Sequence, residues 1–118
     1  MIDLDGLEMY VSSTAANGVV GSATRLLFTH RGNHVVARYS GGSIERGWLA
    51  GRLQDSRLTF RYIQRESGNE IHRGRSVCQV ERLNDGRTRI VEHFTWITRD
   101  GSGTNVFDEW KPTSESRP

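Results

Sequence analysis

The sequence predicts an all-β protein folded as a single eight-stranded antiparallel up-and-down barrel. Three observations carry that expectation. Clusters of turn-forming residues recur along the whole chain, and the segments between them are rich in Val, Ile, Thr, Phe, Tyr and Trp. Several of those segments also alternate apolar with polar residues, the period-two signature of a strand with one buried face. No segment sustains the i, i+3, i+4, i+7 apolar spacing of an amphipathic helix, so helix is expected to be minor or absent. A length of 118 residues leaves room for one domain, expected over 1–111.

The turn clusters divide the chain in order. They fall at Ala16-Asn17-Gly18, Arg31-Gly32-Asn33, Ser40-Gly41-Gly42, Gln54-Asp55-Ser56, Glu66-Ser67-Gly68-Asn69, Asn84-Asp85-Gly86 and Asp100-Gly101-Ser102-Gly103. Each supplies residues that accept positive φ or bond their own backbone. The strands between them are expected at 7–15, 19–30, 34–40, 43–53, 57–64, 70–82, 87–98 and 104–111. Phase then assigns faces. In the second segment Thr24, Leu26, Phe28 and His30 alternate with Arg25, Leu27, Thr29 and Arg31, and in the third Val35, Ala37 and Tyr39 alternate with Val36, Arg38 and Ser40. The fifth reads most clearly, with Leu58, Phe60 and Tyr62 inward and Arg57, Thr59, Arg61 and Arg65 outward. The sixth turns Gly74, Ser76, Cys78 and Val80 inward, small groups that leave space, and the seventh turns Ile90, Glu92, Phe94 and Trp96 inward. Eight short strands joined by consecutive turns avoid two exposed edges by closing on themselves, which gives the barrel. Residues 112–118 carry no apolar anchor and are expected to be a flexible tail.

Composition bounds function. Apolar residues make up 35% of the chain, enough for a thin core. Sixteen cations against fourteen anions give a net charge of +2, and every cation but Lys111 is an arginine. Because the arginines are spread singly along the chain, a solvated surface is expected and no nucleic-acid partner. The chain shows no apolar run of membrane-spanning length and no signal-peptide pattern at its start, so no membrane association and a cytoplasmic location are expected. A single cysteine, Cys78, makes neither an internal disulfide nor a cysteine zinc site. His30, His34, His72 and His93 form no ligand-spaced pair, so no metal is expected, and nothing in the sequence calls for a cofactor.

Glu92 is the most informative residue. Its phase points it into the barrel, where an unpaired carboxylate costs several kcal/mol. It is therefore held by an arginine or by hydroxyls such as Tyr39, Tyr62 or Ser76, or it anchors a ligand, or it serves as a general acid or base. Tyr39, Tyr62, Phe28, Phe60, Phe94 and Trp96 share the interior, either as plain core or as an aromatic-walled pocket. The candidate ligand-binding residues are Glu92, Tyr39, Tyr62, Trp96 and Ser76, and no catalytic residue is assigned. His30 and Gln64 share the inner phase but sit near turns, where exposure at a rim is expected. Cys78, in an apolar setting, is expected to be inert.

Tyr39-Ser40-Gly41-Gly42, Ile44, Gly47, Leu49 and Gly51, followed by Leu58, Phe60 and Tyr62 and then by Asp85-Gly86-Arg87, Arg89, Ile90, Glu92 and Trp96, carry a family resemblance over roughly residues 20 to 110. The chain resembles a family of small bacterial proteins, many of which bear the automatic label N-acetylglutamate synthase and which are similar to calycin-type and avidin-like barrels. The resemblance implies the same meander barrel. Ser76 stands where that family has a cysteine, and Phe94 where a tryptophan is common. The enzymatic label is not expected to apply, because acetyl transfer from coenzyme A needs backbone amides at a helix N-terminus to hold the pyrophosphate, and this sequence offers neither the glycine-rich loop nor the helix.

The expected function is non-catalytic binding of a small, partly apolar molecule in the interior. The alternative is a filled barrel that meets a partner or a second copy, as a homodimer, through an outer wall carrying Leu27, Val36, Trp48, Ile63, Val77, Val91 and Ile97. A third is a weak hydrolase or isomerase using Glu92. Interior volume separates the first two: an open cavity of roughly a few hundred Å³ supports a ligand, whereas a packed interior supports the interaction reading.

Overall fold

Alternation and turn chemistry produce eight antiparallel strands: β1 (Glu8–Ser13), β2 (Arg25–Arg31), β3 (His34–Gly41), β4 (Ile44–Gln54), β5 (Arg57–Glu66), β6 (Ile71–Arg82), β7 (Thr88–Trp96) and β8 (Ser102–Glu109). The computed structural model describes residues 2–111, and the tail expected over 112–118 lies outside the described residues. Each strand pairs with the next, and β1 pairs with β8 through Met9 opposite Glu109 and Val11 opposite Phe107, which closes the barrel. The tight hairpins use residues that tolerate positive φ, such as Gly32 at 60° between β2 and β3 and Asp55 at 57° between β4 and β5. No helix among the described residues is long and apolar enough to cross a membrane.

All strand ends but one fall within two residues of the sequence expectation. The exception is the start of the second strand, expected at residue 19 and found at Arg25. Val19 and Val20 favour a strand by their β-branched side chains. Instead, residues 14–24 cross the end of the barrel, held where Thr24 Oγ1 donates to the Gly41 carbonyl at 3.2 Å and Ser43 Oγ to the Val19 carbonyl at 3.4 Å. The valines turn down onto the core and close it as a cover.

The interior has two unlike ends. At the lower end Leu4, Met9, Val35, Leu58 and Ile90 are wholly buried, and the segment before β1 plugs the opening. His30 belongs here: its Nδ1 accepts from the Leu4 amide at 3.0 Å, and its own amide donates to Asp5 Oδ1 at 2.9 Å. It pins the plug and lies at the opposite end from Glu66, Trp96 and the cover. The upper end, under the 14–24 cover, collects the buried polar residues Gln64, Ser76, Glu92 and Asn105 among Tyr39, Tyr62, Phe94 and Trp96. Register explains the difference. Leu53 faces Leu58 and Val80 faces Ile90 at the lower end, whereas Cys78 faces Glu92 and Glu92 faces Asn105 higher up.

Candidate functional site

The small inward residues of β4 and β6 make room for large neighbours. A Cβ on Gly47 would fall on the Tyr39 ring, and one on Gly74 would fall on the Tyr62 hydroxyl. The space expected opposite Gly74 is thus taken up by tyrosine. Tyr62 then meets Trp96 edge to face at 5.4 Å between ring centroids, and Phe94 meets Trp96 the same way at 5.9 Å.

Glu92 points inward as its phase requires and is buried. It receives Ser76 Oγ at 2.5 Å on Oε2 and Asn105 Nδ2 at 2.9 Å on Oε1. Of the holders considered from the sequence, Ser76 is found, and no arginine pairs with it among the described residues. Burial without a counter-ion pushes the Glu92 carboxyl above its ordinary range, against the two hydrogen bonds that pull it down. Burial, with the field of Glu92 added, likewise raises the Tyr39 and Tyr62 phenols and the Cys78 thiol, so all three stay protonated. The thiol is buried and free.

A second polar chain runs to the rim. The Tyr39 hydroxyl donates to Gln64 Oε1 at 2.8 Å, Gln64 Nε2 donates to Glu66 Oε2 at 2.9 Å, and Arg99 Nη2 donates to Glu66 Oε1 at 2.8 Å. Gln64 is thus buried in a network, where exposure at a rim was expected from its place near a turn. Arg99 also lies 4.6 Å over the Trp96 ring. Glu66, Glu70 and His72, close together in the chain, converge at this rim with one donor atom each inside 4.8 Å, a histidine–carboxylate grouping that sequence spacing had not suggested. Arg99 already neutralises its carboxylates, lying 2.8 Å from Glu66 and 3.9 Å from Glu70, while His72 Nε2 bonds Glu70 at 3.0 Å.

Among the described residues two buried polar side-chain atoms have no partner: the Tyr62 hydroxyl and Trp96 Nε1. Both side chains line the upper cavity, with Tyr39, Gln64, Glu92 and Asn105 among its polar members and Val19, Val20, Leu26, Phe60 and Phe94 among its apolar ones. The void is about 390 Å³ counted out to its mouth, but only about 30 Å³ of it is usable cavity. That is space for about two waters. The interior is therefore mostly filled, and anything larger requires the 14–24 cover to shift.

Asn105 is the residue that sequence reasoning missed. Its Nδ2 holds Glu92, while its Oδ1 accepts from Thr14 Oγ1 at 2.7 Å and from the Ala15 amide at 3.4 Å. One side chain ties the cover to the buried carboxylate. The pattern Gly103, Asn105, Phe107 continues the inward phase of β8 and was the available signal.

These features define a class, the small closed antiparallel barrel with a capped polar-aromatic end. Within that class a family model described as Avidin-like protein matches residues 2–110, and the chain belongs to that family. No curated protein and no solved structure matches it.

Proposed function

We propose that the chain binds a small, partly apolar molecule in the upper interior, with Tyr62, Trp96, Glu92 and Tyr39 around it and Ser76 outside the lining, holding the Glu92 carboxylate. The observation that carries this reading is the pair of orphaned donors. A buried hydroxyl or indole N–H without a partner costs about 1–3 kcal/mol, and both orphans line one cavity beside a carboxyl whose two bonds leave acceptor capacity unused. A molecule offering an acceptor to Tyr62 and Trp96, a donor to Glu92 and an apolar body to Phe60 and Phe94 meets all of these needs. Entry requires the 14–24 cover to move, which the hydrogen bonds of Asn105 oppose.

The test is native mass spectrometry of protein purified from its own host, with Tyr62→Phe beside the natural sequence. Removing an unsatisfied hydroxyl leaves the melting temperature unchanged or raised, while the co-purifying mass is lost. Glu92→Gln weakens retention roughly ten- to a hundredfold, the worth of a charge-assisted hydrogen bond. A Tyr62→Phe variant that melts lower, with no bound mass in either protein, rejects the reading. The alternative of self-association has in its favour the mostly filled interior and Leu27, Val36, Trp48 and Ile63 exposed on one wall. Arginines interleave with them, and two copies meeting there would set like charges together.

A further inference from the structure

The arginines that look dispersed along the chain are gathered by strand pairing. Arg38, Arg46, Arg52, Arg57, Arg61, Arg73 and Arg75 all occupy exposed, outward positions of β3 to β6. Register packs them. One row across the sheet reads Arg38, Trp48, Ile63, Arg73, the next reads Val36, Ala50, Arg61, Arg75, and Arg46 stands opposite Arg65. Among the described residues none of these seven has a carboxylate within salt-bridge distance, whereas Arg25, Arg65, Arg87 and Arg89 each have one and Arg99 has two. The outward acids of the four strands are Glu45, which pairs with Arg65, and Glu81 at the far end of β6. A chain of net charge +2 thus presents one strongly positive wall.

We propose that this wall binds single-stranded nucleic acid. Two features beyond charge select that partner. The Trp48 indole is 45% exposed in the middle of the arginines, in register between Arg38 and Ile63, as a stacking platform for a base. Beside it lies a depression of about 250 Å³ whose lining includes Trp48, Ala50, Ile63, Ile97, Arg61 and Arg73. It sets an apolar slot for a flat ring beside two guanidiniums, whose planar forks match phosphate oxygens. Arg61 directly opposite Arg75 is an unfavourable like-charge pair in a sheet, and an anion bridging the two relieves it. A second copy would bring the same arginines face to face. A lipid surface calls for a protruding apolar segment or an amphipathic helix, and the described residues put neither on this wall. The site is on the outside of the barrel and stands or falls independently of the interior.

The test is fluorescence anisotropy of the full chain with a labelled oligodeoxythymidylate of about 15 nucleotides at about 50 mM salt. The expected result is saturable binding whose log affinity falls with log salt at a slope near −3, about four neutralised phosphates. Arg61→Glu with Arg73→Glu lowers affinity at least tenfold and flattens that slope. Trp48→Ala lowers affinity about tenfold at fixed salt and leaves the slope unchanged. Ser12→Ala, on β1 at the far side of the barrel, changes neither. Arg38→Glu repeats the measurement should the double variant fail to fold. The proposal is overturned by absence of binding at about 100 μM protein, by binding insensitive to these arginines, by capture on phosphatidylserine vesicles with none on the oligonucleotide, or by a Trp48-dependent dimer that ignores the oligonucleotide.

Discussion

Glu92 shows how one residue sets the electrostatics of an interior. Its carboxyl is pushed up by burial, and its field in turn adds to the upward shifts of Tyr39, Tyr62 and Cys78. The sign of the stability effect follows. Below about pH 4.3, the ordinary glutamate value, both folded and unfolded chains carry the proton and Glu92 contributes no pH dependence. As pH rises, the unfolded chain releases its proton first, so stability falls until the folded value is passed and is level thereafter. Glu92→Gln removes this dependence, and a glutamine can keep both partners by turning its carbonyl to the Asn105 amide and its amide to the Ser76 hydroxyl. Melting temperatures of the two proteins should therefore diverge as pH is raised above about 4, with the natural chain losing ground. A constant difference across that range would show that Glu92 titrates alike folded and unfolded.

At the scale of the element, β5 is where phase is clearest and where it can be tested most directly. Phe60 is buried and Arg61, its neighbour, faces water. Phe60→Ala should cost on the order of 3 kcal/mol and Arg61→Ala less than about half of that, read from urea melts. Equal losses would contradict the register of Phe60 opposite Ser76 and Arg61 opposite Arg75. The strands were legible because a barrel writes its inside and outside into alternate positions, and Glu92, Gly74 and Ser76 were placed by that rule alone. Three things were not legible. Val19 and Val20 have strand chemistry but serve as a cover, because what they pack on is set by the closed barrel and not by their neighbours in sequence. Asn105 was passed over because its partners, Glu92 on one side and Thr14 and Ala15 on the other, come from strand pairing and from the cover. The arginine wall was invisible for the same reason: residues one apart along a strand face opposite sides, while Arg61 and Arg75, far apart in the chain, face each other.

The whole molecule divides its labour between two ends. The lower end is apolar and sealed by the segment before β1, with Leu4 fully buried and its amide fixed by His30. The upper end carries the cavity, the orphaned donors and the cover. A closed β-barrel shares one ladder of hydrogen bonds, yet its side-chain packing is local, so damage at one end need not reach the other. Leu4→Ala leaves a hole in the sealed end and should cost about 2–5 kcal/mol, a fall in melting temperature of about 4 °C per kcal/mol at this size. Tyr62→Phe acts at the far end on an unsatisfied hydroxyl and should be neutral or stabilising. Because the two sites share no partner, their effects should add within about 0.5 kcal/mol in the double variant. Thermal melts of the four proteins measure this. A coupling well above that figure would mean that the plug and the capped cavity form one cooperative core, and that closing the lower end helps to set the shape of the site above it.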